Sequence, residues 1–379
     1  MEELYGIPFT LLSFILMLSV VVFVHEFGHF IVARWCGVRC DSFSIGFGPE
    51  LAGYTDKKGT RWKFSLIPLG GYVKMFGEAD ITNPGEKGST NASSSSLMTE
   101  EEIAVSFSHK SLSQRAAIVF AGPAVNFLFG IFIFTVLFVM VGRPATEPVI
   151  GFVVPDSAAE QAGIQAGDRI TAVDGAEIDR FESLVKSVLL GNGQLMALSI
   201  DRGGSQISLS VRPKLSDGPD QFGNSKRRAF LGVQSSGVVK IMSRNNPFKA
   251  LVLAVKETYS QVETTFIALG QIISGQRGTE DLGGPIAIGK MAGEAAESGL
   301  LNFVLLMAIL SINLGIINLF PVPLLDGGHL LFYIYEALAG RPLSESVQEW
   351  GMRVGLVMVL GLMLFVTWND IMQIIKDKV

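Results

Sequence analysis

Four uncharged, largely apolar runs divide the chain: Ile7–Val24, Ala116–Gly142, Ser298–Leu325 and Val354–Asn369, of 18, 27, 28 and 16 residues. About 20 apolar residues cross the hydrocarbon core of a bilayer as a helix. The pattern therefore predicts four transmembrane helices, within residues 1–35, 112–143, 298–328 and 347–371. Trp350 and Arg353 extend the short last run by sitting at the interface. Between the first two runs, in 36–111, "DSFSIGFGPEL" and "RWKFSLIPLGGYVKMFG" alternate apolar and polar residues and are broken by glycine. They predict a small β-sheet dipping into the membrane, followed over 78–106 by a polar, Ser-rich stretch of linker composition. In 144–236, "MALSI" and "ISLSV" alternate around Arg202-Gly203-Gly204-Ser205, which reads as a hairpin in a small separate domain. Phe248, Val252, Val255, Tyr259, Val262, Phe266, Leu269 and Ile273 recur at spacings of four and three. That is one apolar stripe on a helix over 247–275, with Lys249, Lys256, Glu257 and Glu263 on the other face. It suits a helix on the membrane surface or under the neighbouring domain, with a coiled-coil partner as the alternative.

Composition agrees with a membrane protein, since 49% of the 379 residues are hydrophobic and 17% charged, against roughly 25% charged in soluble domains. The net charge of −5 offers no basic surface for nucleic acid. Cys36 and Cys40 make no disulfide framework and read as two small apolar residues beside a membrane helix. No Lys or Arg precedes the first run, so the positive region of a cleaved signal peptide is missing. Arg34, Arg39, Lys110 and Arg115 flank the first long loop, which places 36–111 in the cytoplasm and 144–297 outside; Lys376 and Lys378 run against this assignment.

The densest chemistry is His25-Glu26-Phe27-Gly28-His29, at the end of the first run. Residues four apart share a helix face, so two imidazoles can hold one tetrahedral zinc while Glu26 reaches a water beside it as general base. Chance supplies an H-E-x-x-H only about 0.002 times in a chain of this composition. Ionisable groups within a membrane helix are costly and mark function; the competing reading is a polar helix end fraying into the headgroups. Catalytic zinc takes three protein ligands. Asp326 is the candidate third, because it closes the run "NLFPVPLLDGGH", where Pro321, Pro323 and Gly327-Gly328 break the helix. His329 is the rival, and reads equally as an interfacial or supporting histidine. Glu78 and His109, in or near the linker, are weaker candidates.

With the text around them, these motifs resemble the site-2 protease family of intramembrane metalloproteases, and within it the bacterial sigma-E regulator proteases. The matching segments are "VHEFGHFIVARWCGV", "FSIGFGP", "IPLGGYVKM", "QRAAIVFAGPAVNF" and "NLGIINLFPVPLLDGGHLLF". The resemblance implies a zinc endopeptidase of regulated intramembrane proteolysis in a bacterial inner membrane. A single-pass substrate such as an anti-sigma factor, first trimmed outside, is then cut within its membrane helix. It puts the metal ligands on His25, His29 and Asp326, the catalytic glutamate on Glu26, and groups that hold substrate backbone on Asn313 and Asn318.

The domain at 144–236 is similar to a bacterial PDZ domain through "SAAEQAGIQAGDRITAVDG". Better-known relatives carry two in tandem, whereas this chain has room for one. A peptide tail is expected to add as a strand between Gly151-Phe152-Val153 and a helix over Ser183–Leu190; a steric filter that binds no terminus is the alternative. The fold expected is thus a polytopic α-helical membrane protein with a membrane-associated β-sheet and an inserted PDZ-like α+β domain. That domain lies on the periplasmic side and the active site toward the cytoplasm. A helical substrate must unwind before cleavage, and the glycine-rich strands at 43–48 and 62–75 are expected to hold it, with Gly46 on the edge strand and Asn318 beside it. The competing functions are a catalytically silent PDZ-bearing scaffold, disfavoured by Glu26, and a zinc transporter, which needs neither general base nor PDZ domain.

Overall fold

A computed structural model describes residues 6–77, 98–219, 225–242, 246–275 and 282–376. Glu78 and most of the expected linker lie outside them. The chain divides into two compact units, Met1–Ile133 with Gly284–Thr367, and Phe134–Gly283 with Trp368–Val379.

The first unit opens with helix α1 (Ile7–Trp35), which carries Pro8 in its first turn and runs without a break through the H-E-x-x-H. Strands β1 (Cys40–Thr55) and β2 (Arg61–Met75) follow. Both are long and bent, and they fold back on each other as four ribbons. Ala52–Thr55 pairs with Arg61–Phe64, which pairs with Ser42–Ile45, which pairs in turn with Gly71–Lys74. Gly46 and Gly48, at φ 89° and 87°, make the corner of β1 in a region that L side chains rarely adopt. Gly46 is buried there and its carbonyl accepts from Ser44 Oγ at 3.0 Å. It therefore does not lie on an open edge. The outer ribbon on this side is Gly71–Met75. Helix α2 (Glu100–Val105) is started by a reciprocal Thr99–Glu102 capping box, and α3 (Leu112–Met140) continues through Pro123.

The second unit holds β3 (Arg143–Thr146), β4 (Ile150–Val153), α4 (Ala158–Gln161), β5 (Arg169–Val173), β6 (Ala176–Glu177), α5 (Phe181–Gly191), β7 (Met196–Arg202), β8 (Ser205–Val211), β9 (Lys214–Pro219), β10 (Ser225–Phe230), β11 (Val233–Ser235) and β12 (Val239–Met242). One sheet runs β6-β5-β7-β8, and the pairs β3–β12, β4–β11 and β9–β10 complete the strands. Ile150, Ile170, Leu184, Leu198 and Ile200 are buried in a single core beneath them. Helix α6 (Pro247–Ile273) is tied to this domain by its polar side. Glu257 pairs with Arg143 and Arg180, and Lys186 donates to Ser260. Ala250, Ala254, Thr258 and Gln271 are buried, while Phe248, Tyr259, Phe266 and Ile273 stay exposed.

The first unit then resumes with α7 (Pro285–Glu297), α8 (Leu300–Asn318), α9 (Asp326–Ala339) and α10 (Glu345–Lys376). Among the described residues four helices, α1, α3, α8 and α10, are long and apolar enough to cross a membrane, giving a polytopic membrane protein. The third span is shorter than the 298–328 read from the sequence. It stops at Asn318, residues 319–325 turn, and Asp326 opens the next helix. The cause is local. Pro321 and Pro323 have no N–H to offer a helix, and Leu324 sits at φ 116°. Short helix α7 went unread because its alanines and glycines give little periodic signal, yet Gly293 packs on Thr10 of α1 where a Cβ would not fit.

Candidate metal centre

His25 and His29 lie one turn apart on α1, and each is 8% exposed. Their Nε2 atoms are 3.3 Å apart. Asp326 Oδ2, from the first turn of α9, lies 3.3 Å from His25 Nε2 and 3.5 Å from His29 Nε2. That oxygen is buried and accepts no hydrogen bond. The set fits a metal on geometric grounds. Ligands at about 2.0–2.1 Å in a tetrahedron stand about 3.3 Å from one another, which is the spacing of this triangle. An uncompensated buried carboxylate oxygen is otherwise costly.

The surroundings explain how the triangle is held. His29 Nδ1–H donates to the Ile118 carbonyl at 2.9 Å, a backbone hydrogen bond of the kind that fixes a ligand's tautomer. Gly122, one turn further along α3, lies against both imidazoles, and a Cβ there would overlap His29. Asn126, another turn on, meets His25 Nδ1 at 3.2 Å. Behind Asn126, α8 approaches through Gly315, whose missing Cβ leaves room for Pro123 and Asn126, and Ser311 Oγ donates to the Asn126 carbonyl at 3.1 Å. The α9 end is clasped to α3 by Arg115 and Glu336 at 2.6 Å, with Tyr333 under the guanidinium.

Glu26 borders the same site. Gly71 of β2 lies against its side chain. Asn318 Nδ2 is 3.2 Å from His25 Nε2. Asn313, five residues earlier on α8, is half-buried and points about 140° away around the helix. His329 lies in α9 with its ring edge-on to Phe332 and is outside the triangle; His109 hydrogen-bonds Ser106 and Ser108 at the exposed end of the loop. Cys36 and Cys40 form no disulfide, and the second is buried. Sequence reasoning missed Gly122 and Asn126. The one signal for them was their four-residue spacing within an apolar run.

A helical membrane protein whose H-E-x-x-H converges with a distant carboxylate has the layout of a membrane metallopeptidase. The chain belongs to peptidase family M50, whose family model matches residues 13–362. It is 44% identical over 368 residues to a protein of Agrobacterium fabrum named as a proposed zinc metalloprotease, covering 96% of each chain. A Rhizobium meliloti protein of the same description is 40% identical over 369 residues, covering 97% of each. The regulator of sigma-E protease RseP of Escherichia coli is 34% identical, covering 95% of this chain and 98% of that protein. The protein is a zinc metalloprotease.

Proposed function

We propose that this protease cleaves the membrane-spanning segment of a single-pass protein, such as an anti-sigma factor, after a first cut outside the membrane. The observation that carries the reading is the His25–His29–Asp326 triangle beside Glu26, with both histidines on a membrane-length helix. His25, His29 and Asp326 are the zinc ligands in this reading. Zinc, when bound, supplies Lewis acidity for the attacking water and the scissile carbonyl. Glu26 accepts the proton of that water and delivers it to the leaving nitrogen.

The substrate must be extended to be cut. The ribbon Gly71–Met75 borders Glu26 and is the outer one of its sheet, so it is the edge to which an unwound segment adds as a strand. This moves the strand-adding role from Gly46 to the ribbon beyond it, while Asn318 remains in reach of the substrate backbone at the metal. Asn313, the other asparagine the resemblance singles out, lies on another face of α8.

The 144–236 domain serves as a single PDZ-like module on the outer, periplasmic side of a bacterial inner membrane, with the active site toward the cytoplasm. The basic flanks of the first loop support that orientation. The alignment with the Escherichia coli relative spans 460 residues against 379 here, which leaves room in that protein for a segment absent from this one. Within the module β4 is bordered by β11 and, through Ile150, by Asp168 and Gly167. The edge available for a peptide tail is therefore that of β11, one strand away from Gly151–Val153.

The test is direct. Protein purified in detergent should hold about one zinc and cleave a transmembrane peptide, and Glu26→Gln should abolish cleavage. Bound zinc without cleavage of any transmembrane peptide would favour a silent scaffold instead.

A further inference from the structure

The hydrogen-bond bookkeeping of His25 does not close unless one neighbour is turned round. Asn126 meets Nδ1 at 3.2 Å and Asn318 Nδ2 meets Nε2 at 3.2 Å. With both amide nitrogens facing the ring, the imidazole would need a lone pair on each nitrogen and no proton. A neutral imidazole has one N–H and one lone pair. One amide must therefore present its oxygen, which a half-turn about the side-chain bond achieves without moving anything else. The ring decides which one. Nε2 faces His29 Nε2 and Asp326 Oδ2, both 3.3 Å away; with zinc held among these three atoms its lone pair belongs to the metal and the proton belongs on Nδ1. Asn126 is fully buried beside the ring.

We infer that Asn126 is a positioning residue: its side-chain oxygen accepts the His25 Nδ1 proton and so keeps Nε2 turned to the metal as an acceptor. This rests on the assignment of His25 as a zinc ligand. Under it, one face of α3 fixes both histidines through a four-residue ladder. The Ile118 carbonyl holds His29, Gly122 gives the rings room, and Asn126 holds His25. Both imidazoles then have the same tautomer, with Nδ1–H bonded to α3 and Nε2 unprotonated, although one acceptor is backbone and the other a side chain. Supporting groups of this kind change metal affinity by about 10–100-fold.

The experiment measures zinc affinity by chelator competition on the full-length protein in detergent, independent of proteolysis. Asn126→Leu keeps the volume and removes the acceptor, and should weaken zinc by about 10–100-fold. Asn126→Asp restores an acceptor at the same atom and should bind zinc at least as tightly as wild type. Asn126→Ala is the second acceptor-free variant should the leucine not accumulate, and should weaken zinc in the same range. Wild-type affinity in the acceptor-free variants, or an Asp variant as weak as they are, overturns the inference. His25→Ala separates the two readings. If it binds zinc normally, the ligand assignment itself fails; if it loses zinc while the acceptor-free variants do not, only the role of Asn126 fails.

Discussion

Gly355 of α10 lies so close to Pro323 that a Cβ on it would overlap the proline carbonyl. The turn that delivers Asp326 is thus seated on bare helix backbone, and Leu324 beside it is held at φ 116°, where a leucine is strained. Gly327 and Gly328 extend the same close packing, since each would meet backbone of residues 319–323 through a Cβ.

Gly355→Ala must push this turn away, and a misplacement of about 1 Å at a reacting centre can cost on the order of 100-fold. We expect cleavage to fall by about that factor, with zinc content reduced and the protein still inserted. Gly361→Ala, six residues along the same helix with open space around it, should match wild type. Equal activity in the two variants would show that the contact does not position Asp326.

Glu26→Gln keeps the shape of the side chain and cannot take up a proton. Cleavage should drop by about 10²–10⁴-fold while metal analysis still finds about one zinc. Loss of zinc together with activity would make Glu26 a structural support rather than the base.

Asp326→Asn should lose zinc and cleavage together, because the buried oxygen that completes the triangle becomes a neutral, weaker donor. His329→Ala should keep near one equivalent, since its ring packs on Phe332. The reverse pattern would point to a three-histidine site.

A pH effect should appear in the second unit. Hydrogen bonds from Arg202 at 2.7 and 2.8 Å hold the buried Asp168 carboxyl below the usual carboxylate range. A group depressed in the folded state contributes stability above its unfolded value, about 3.9 for Asp, and that contribution is lost as pH falls toward the folded value. Amide protection in β5 and β7 should therefore decline below about pH 4, and Arg202→Met should lower protection at neutral pH and flatten this decline. An identical pH profile in the variant would rule out this pair as the cause.

The parts of the site that follow from local spacing were legible in the sequence. H-E-x-x-H declares its geometry because four residues make one helical turn, and Asp326 stood out because prolines and glycines interrupt an apolar run there. Asn126 was not legible. A lone asparagine in a membrane helix gives no sign of a histidine 101 residues earlier in the chain. The same limit applies to the first sheet. Alternation in residues 40–75 marks strands, but period two specifies faces and not neighbours, so the fold-back that buries Gly46 and puts Gly71–Met75 on the outside of the sheet could not be read. Residues 319–325 were legible as a break and not as the start of a second helix, because "DGGHLLFYIYEALA" continues the apolar character of the run before it.

The two parts of the triangle are also far apart in time. Asp326 follows His29 by 297 residues, and chains emerge N-terminus first. While the ribosome is still making the first eight-tenths of the protein, α1 is already in place with its two histidines but lacks the carboxylate. Metal binding that depends on an assembled ligand set is coupled to folding. Under the proposed reading, a half-made copy therefore presents Glu26 without the completed triangle, and its activity waits until the α9 turn has docked.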